Sequence, residues 1–455
     1  MAKTIMLDTN YLFQPRGKNT AWLFRMATPA ALVGQPNPRT GRPYGKEIRE
    51  SLGRVTKLAE ARQARDVRLG HIRLEELAVT GRSEGTVEEA MSIAASLRDM
   101  HDEGERETAT SVLADQAEKL EKKVGTKKAV RWYKTATGER TPFGATVQQF
   151  KADRGKALSQ SSLNNLDTAV KEFKEFAGED VTMEEVTRRM AGQFVTQFLP
   201  DKKGPKAPDG QGPATIRKKV SQLTQVWSWA QQRGLLPYSK ETPWDAQGPT
   251  AKEVKARAKT RRIFHPEETR KILSEAPEGK DLGDLIRVAL LAGVRLEEVA
   301  GLKASQVDES GDWYNVMEGK TDNAIRVVPL VDMAKRVILA RLSKASGPDD
   351  PLFPKRKVRK SSGKRGGSLS QAFTRLRRRV LGKHTDGVLV QHCFRHTWHT
   401  EARRADVDLR TIQEMGGWGI GGATDAPYDH GLEIKQYVKA QKKVAAWLRK
   451  KGYFE

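Results

Sequence analysis

Cysteine is close to absent. The 455 residues contain one, Cys393, so no intramolecular disulfide is available and a cysteine-rich zinc finger is excluded. Long apolar runs are missing as well. Nothing approaches the roughly 20 residues of a membrane span, and the N-terminal MAKTIMLDTN lacks a signal-peptide pattern. No membrane partner is expected, and the chain reads as cytoplasmic. Acidic residues fall short of basic ones, 57 Asp and Glu against 81 Lys and Arg, for a formal charge of +24. That balance points to a polyanionic partner, nucleic acid first, although surplus charge also serves solubility alone. Length is plentiful: the chain exceeds what one compact core organises, so about three domains are expected.

Taken in order, residues 1–80 read as a small basic module. Trp22–Met26 and Lys46–Leu52 have strand character, the loop GQPNPRTGRPYG is turn-rich, and a basic helix runs from Leu58 to about Leu77. Such a module suits DNA or a protein contact. Residues 81–135 are polar and of mixed charge, and read as a linker helix or short helical pair. Residues 136–250 read as a helical domain. Leu163, Leu166, Val170 and Phe173 share one helical face there, as do Ile216, Val220, Leu223, Trp227 and Ala230. Arg217, Lys218 and Lys219 open the second of these helices, either as phosphate contacts or as a solvated face. A stretch of proline, glycine and Lys/Arg without periodicity, 238–261, marks the boundary to a last domain over 251–455.

In that last domain Leu285, Ile286, Ala289 and Leu290 predict a buried helix ending at Gly293. Arg295 follows the stop, and Glu298 lies one helical turn further. Trp313–Met317 and Ile325–Leu330 alternate like the strands of a hairpin, which places Lys320 at its tip. Residues 354–379 contain no acidic residue; Lys355, Arg356, Lys357, Arg359, Lys360, Lys364 and Arg365 form a basic loop suited to phosphate-backbone contact. Next comes QHCFRHTWHT, where His392, Arg395, His396 and His399 share one helical face while Cys393 and Phe394 point to the core. A guanidinium fork among imidazoles makes a poor core but a good anion receptor. Beyond it lie a short helix over Leu409–Met415, Gly416-Gly417-Trp418, Tyr428, and a terminal helix with Tyr437, Ala440, Val444 and Trp447 in one stripe. That helix folds back on its own domain or docks on a neighbouring protomer.

The ordered set Arg295, Lys320, His392, Arg395, Trp418, Tyr428 resembles the catalytic signature of the tyrosine recombinases, the phage-integrase family, of the phage or genomic-island kind. GVRLEEVAGL matches the first arginine motif, GKTDNAIRVVPL the hairpin lysine, His392-Cys393-Phe394-Arg395-His396 the His-x-x-Arg-His box, and Gly417-Trp418 the step before the nucleophile. The resemblance covers about residues 260–455; the helical domain upstream is similar to the family's core-binding domain, and the N-terminal module to its arm-type domains. Two departures stand out. The family's interval from the Gly-His/Trp step to the tyrosine is about nine residues and here is ten, and GIGGATDAPYDHG carries extra glycines and a proline.

The resemblance implies a multidomain chain, mainly α with small β-sheets, that cleaves and rejoins DNA without metal, ATP or cofactor. It implies Tyr428 as nucleophile, Arg295 and Arg395 as phosphate clamp, Lys320 as general acid and His392 as proton-transfer partner. His396 and Trp418 would line the phosphate, with Glu298 in support and Tyr437 as rival nucleophile. The expected partners are double-stranded DNA, three further copies in a tetramer on synapsed sites with a monomer in solution, and a host bending or directionality factor. On DNA the chain would be nucleoid-associated. Other readings are a type IB topoisomerase, a DNA-binding regulator without chemistry, and a zinc site on His392 and His396. The last lacks the Glu of an H-E-x-x-H helix and places Arg395 beside the metal.

Overall fold

The computed structural model describes residues 11–15, 20–81, 83, 85–205, 207–317, 325–354, 365–418 and 432–455. These form mainly helices with two small sheets, as expected, and the chain divides into two compact units, Met1–Arg257 and Ala258–Glu455. No helix among the described residues is long and apolar enough to cross a membrane.

The first unit opens with a three-stranded antiparallel sheet, Leu12–Phe13, Leu23–Ala27 and Glu47–Ser51, with Phe24 opposite Glu50 and Met26 opposite Ile48. Period-two alternation turns Phe24 and Ile48 to a core shared with Leu12, Leu32, Tyr44 and Leu52, while Arg25 and Arg49 face out. The Leu58–Thr80 helix covers that core with Ala61 and Ile72. Its buried Arg68 reaches Glu50 at 2.8 Å and the Tyr44 hydroxyl at 2.9 Å. The stretch read as a linker is more than that. Val87–Asp99, Glu103–Val124 and Thr126–Ala136 pack with the end of the Leu58–Thr80 helix around Leu77, Ile93, Leu97, Leu113, Leu120 and Trp132. Its apolar positions are sparse among charges, which hid a second core from inspection of the sequence.

Helices Phe143–Arg154, Gln160–Ala177 and Pro213–Gln232 follow, with Arg188–Gln193 running through a π-turn at Phe194–Phe198. Phe173 sits at the centre of their core, edge-on to Phe143, Phe194 and Trp244 with ring centroids 5.0–5.2 Å apart.

The second unit is built on the Asp281–Ala292 helix, against which Asp332–Leu342, Gly367–Leu381, Cys393–Arg404 and Ile434–Lys450 all pack. A two-stranded antiparallel sheet, Trp313–Val316 with Arg326–Pro329, lies at the edge, with Val316 opposite Arg326. The terminal helix folds back on its own unit. Gln441 donates to the Leu291 carbonyl and accepts from Trp398 Nε1 at 3.2 Å; Trp447 and Tyr453 donate to Glu401 at 2.8 and 3.0 Å. Its buried face is Gln441, Val444, Ala445 and Leu448, rotated from the expected stripe because the polar Gln441 is buried by these bonds.

The central helix stops where its sequence says it should. Gly293 adopts φ 62°, and a Cβ there would lie 2.2 Å from the Trp398 ring. Gly293→Ala therefore combines the left-handed backbone penalty, about 1–2 kcal/mol, with overpacking of similar size. Urea unfolding should show a loss of at least about 2 kcal/mol from these two costs; an unchanged midpoint would contradict this packing.

Candidate active site

Arg295 caps the short Leu296–Ala300 helix that follows the Gly293 turn. Its backbone N–H and Nη1 donate to the Glu298 carboxylate at 2.9 and 2.7 Å, and its Nη2 donates to the Gly417 carbonyl at 3.1 Å. Glu298 is shared. From the second strand Arg326 donates to it at 2.8 and 3.3 Å, and through Nε to the Met415 carbonyl at 2.8 Å. Burial pushes the Glu298 carboxyl up, but the bonds from Arg326 and then Arg295 outweigh burial and leave its pKa below the ordinary value.

Arg395, in the first turn of the Cys393–Arg404 helix, is only 2% exposed. Nη1 donates to the carbonyl of Gly293 at 2.7 Å, the guanidinium lies 3.6 Å from the centre of the Trp418 ring, and Nη2 has no hydrogen-bond partner among the described residues. Burial first, then the Arg295 and Arg326 cations, push its pKa down to about 9. A guanidinium at that value is still charged at neutral pH, so the shift marks a site short of negative charge.

Trp418 is held for this contact. It stacks on Trp398 with an 8° interplanar angle and meets the His399 ring edge-on at 4.9 Å. Gly416 is required beneath it, because a Cβ there would lie 1.8 Å from the indole. His392 caps the same helix as Arg395, half-buried, with the exposed His396 ring perpendicular to it at 5.0 Å. Burial, then His396, Arg395 and Arg261, push the His392 pKa down to about 4, which makes it a neutral imidazole at neutral pH. The described residues thus bring together Arg295, Glu298, His392, Arg395 and Trp418, with Arg326 as a member the sequence reading missed. The available signal was an arginine set inside an apolar strand, IRVVPL, which needs a buried anion to be there. No three His, Cys, Asp or Glu among the described residues cluster to hold a metal ion.

Two family models match this sequence: the phage integrase family over residues 262–433 and the phage integrase SAM-like domain over residues 142–243. The chain belongs to the phage integrase family. It is 27% identical over 217 residues to the integrase of Salmonella phage P22, covering 45% of this chain and 52% of that one. It is 30% identical over 153 residues to the tyrosine recombinase XerC of Actinobacillus pleuropneumoniae, covering 32% and 47%. The chain spans about half the length of these relatives. Similar solved structures include a lambda integrase tetramer bound to a Holliday junction (14% identity, TM-score 0.47, 93% of this chain and 98% of that one). Another is the Tn1549 transposon integrase with circular intermediate DNA (16% identity, TM-score 0.48, 67% and 99%).

In this phage-integrase chain the match over 262–433 takes in every residue of the ordered set from Arg295 to Tyr428. Lys320 and Tyr428 lie outside the described residues, as do Lys355, Arg356, Lys357, Arg359, Lys360 and Lys364. Arg365 is described; its backbone N–H, with that of Gly366, donates to the Glu297 carboxylate. Tyr437, the rival nucleophile, donates to Glu414 at 2.9 Å and accepts from the Leu432 N–H at 3.0 Å, and burial raises its pKa. Arg217 and Lys218 are exposed on their helix. Lys219 is not, and its assignment as a phosphate contact is corrected: it is 7% exposed, pairs with buried Glu172 and donates to Gln211 at 2.7 Å. Three consecutive basic residues cannot share one helical face, and the third turns inward.

Two outcomes follow from these environments. Lys219→Met leaves Glu172 buried without its cation, so chemical denaturation should show destabilisation of the order of 3 kcal/mol; a loss below about 0.5 kcal/mol is the surface-pair result and would return Lys219 to the solvated face. His392 has a folded pKa of about 4 against an ordinary 6.5. The unfolded chain therefore binds more protons below about pH 6.5, and stability falls as pH drops from there toward 4. His392→Gln should flatten that slope in melts between pH 7 and 5, and equal slopes would show that the imidazole is not held neutral.

Proposed function

We propose that this chain is a site-specific DNA recombinase that cuts and rejoins strands through a covalent 3′-phosphotyrosine on Tyr428. The observation that carries the reading is the buried, incompletely bonded guanidinium of Arg395 beside Arg295. Two cations converge on the Gly417–Trp418 turn with one shared carboxylate between them and Arg326. A phosphodiester supplies the missing anion, and its pentacoordinate transition state, carrying more charge on the nonbridging oxygens, fits better still.

In the proposed cycle the Tyr428 oxygen forms a bond to phosphorus as the bond from phosphorus to the 5′ oxygen breaks. Lys320 gives its proton to that leaving oxygen, and the phenol proton passes toward neutral His392. The new phosphoester keeps the energy of the old one, so a different 5′-hydroxyl can reverse the step without ATP. Exchange between two duplexes breaks four strands, each needing one tyrosine, which argues for four protomers on synapsed sites. Arg217 and Lys218 on the SAM-like domain and the basic stretch 355–365 would contact phosphates, with the N-terminal sheet module as a further DNA-binding part. Relaxation of DNA by a single protomer is the second reading. Strand transfer between two labelled duplexes separates the two, since a relaxing enzyme reseals only its own strand.

The direct test uses a nicked duplex carrying the junction mapped at the ends of the element that encodes the chain. Wild-type protein should form a denaturant-resistant adduct on it. Tyr428→Phe should form none while binding the same duplex within about 2-fold, since it removes only the covalent step. An adduct in that variant would move the nucleophile elsewhere.

A further inference from the structure

We propose that Arg326 is a positioning residue of the phosphate site, the strut through which the Arg326–Pro329 strand sets both halves of the arginine clamp. This rests on the reading of the site as a phosphate clamp and adds a residue to it. Arg326 is nearly buried, with 6% of its side chain exposed, and its guanidinium binds Glu298 and the Met415 carbonyl. Nη1 and Nη2 donate to Glu298 at 3.3 and 2.8 Å, and Nε donates to the Met415 carbonyl at 2.8 Å.

Each target leads to one arginine of the clamp. Glu298 accepts from the backbone and side chain of Arg295, so fixing the carboxylate fixes where that guanidinium can lie. Met415 is in the last turn of the Leu409–Gly416 helix, directly before the Gly416–Gly417 turn that presents Trp418 to Arg395 and the Gly417 carbonyl to Arg295. The planar fork is what the place requires, since Nε and the two Nη groups serve acceptors on different elements at once, and an ammonium cannot span both.

Glu298 also has to stay ionised to do this. Among the described residues the charged and titratable groups around it are Arg295 on its own helix, Arg326 from the strand, Arg395 from the Cys393–Arg404 helix and the buried Tyr314 hydroxyl from the first strand. Burial works against its charge, and Arg326 is the largest single influence that restores it. Without Arg326 the carboxyl keeps its burial and loses that partner, so its pKa rises. Protonated Glu298 loses its charge-assisted hold on Arg295. Activity limited this way is low at acid pH and returns as pH rises.

Single-turnover adduct formation by the full chain on the nicked junction duplex, from pH 6 to 9, tests the idea. Arg326→Met should form adduct about 100-fold more slowly at pH 7, the size of effect expected from small misplacement of a catalytic group, with duplex affinity within about 2-fold of wild type. The deficit should shrink as pH rises, and adding Glu298→Gln should abolish that recovery. Arg326→Lys should restore part of the rate, because it keeps a cation for Glu298. A wild-type rate in Arg326→Met, or a deficit equal at every pH, overturns the proposal while leaving the clamp reading intact. Failure of wild-type protein to form adduct removes the clamp reading, and this one with it. Should Arg326→Met not fold, Arg326→Lys carries the same comparison with a smaller pH-dependent deficit, and a wild-type profile for it is the overturning result.

Discussion

The described residues of the C-terminal unit are arranged around a buried charge for which none of them is a direct carboxylate partner. Placing a guanidinium at 2% exposure costs several kcal/mol unless partners replace its water. Arg395 is given three partial substitutes: the Gly293 carbonyl at 2.7 Å, the Trp418 face at 3.6 Å, and the field of Glu298 from beyond Arg295. Each makes a demand on the fold. The carbonyl is available because a helix leaves its last carbonyls without intrahelical donors, and the left-handed turn at Gly293 turns the chain away at that point. The indole is available because Trp398 and His399 hold it, and because Gly416 has no side chain to push it off. The terminal helix enters the same chain of demands, since Gln441 hydrogen-bonds to the Trp398 indole and to Leu291 of the central helix.

Much of this was legible in the sequence, and for identifiable reasons. The helix stop before Arg295 was visible because glycine after an apolar run is a local signal. The face carrying His392 and Arg395 was visible because helical spacing is local too, and Cys393 and Phe394 are fully buried on the other side, as read. The hairpin was visible from alternation. Arg326 was missed because its acceptors lie 28 and 89 residues away, and nothing near it in the sequence names them. Trp398 was passed over inside a motif read for its histidines, although its ring is what fixes both Gly293 and Trp418.

The first unit shows the same limit with charge. A formal +24 invites every lysine and arginine to be read as a surface contact, but several are interior fasteners. Lys219 closes on Glu172 between two helices, Arg68 ties helix to sheet through Glu50 and Tyr44, and Arg62 meets Asp153 at 3.1 Å. Helical periodicity would have flagged Lys219, which falls on the face of Ile216, Val220 and Leu223. Which carboxylate would meet it was not predictable, because Glu172 is 47 residues away on another helix. The apolar positions around Trp132 were lost for a related reason. Each is separated from the next by charged residues of the helix surface, and only the packing of four helices gathers them.

The two clamp arginines differ in a way that assigns them different work. Arg295 is 39% exposed and already holds a carboxylate, so under the proposed reading a phosphate would compete with Glu298 for its donors. Arg395 is buried and holds no carboxylate among its partners in the described residues, so under the proposed reading a phosphate would meet a donor that is already dry and fixed. Electrostatic stabilisation is strongest where the dipoles need no reorganisation as charge develops. On that ground, under the proposed reading, Arg395 would supply the preorganised part of the field and Arg295 the adjustable part. His392 completes the division. Burial first, then His396, Arg395 and Arg261, hold it neutral at neutral pH. Under the proposed reading, an anion beside Arg395 would raise the basicity of the neighbouring imidazole and so tie proton transfer to the presence of a phosphate.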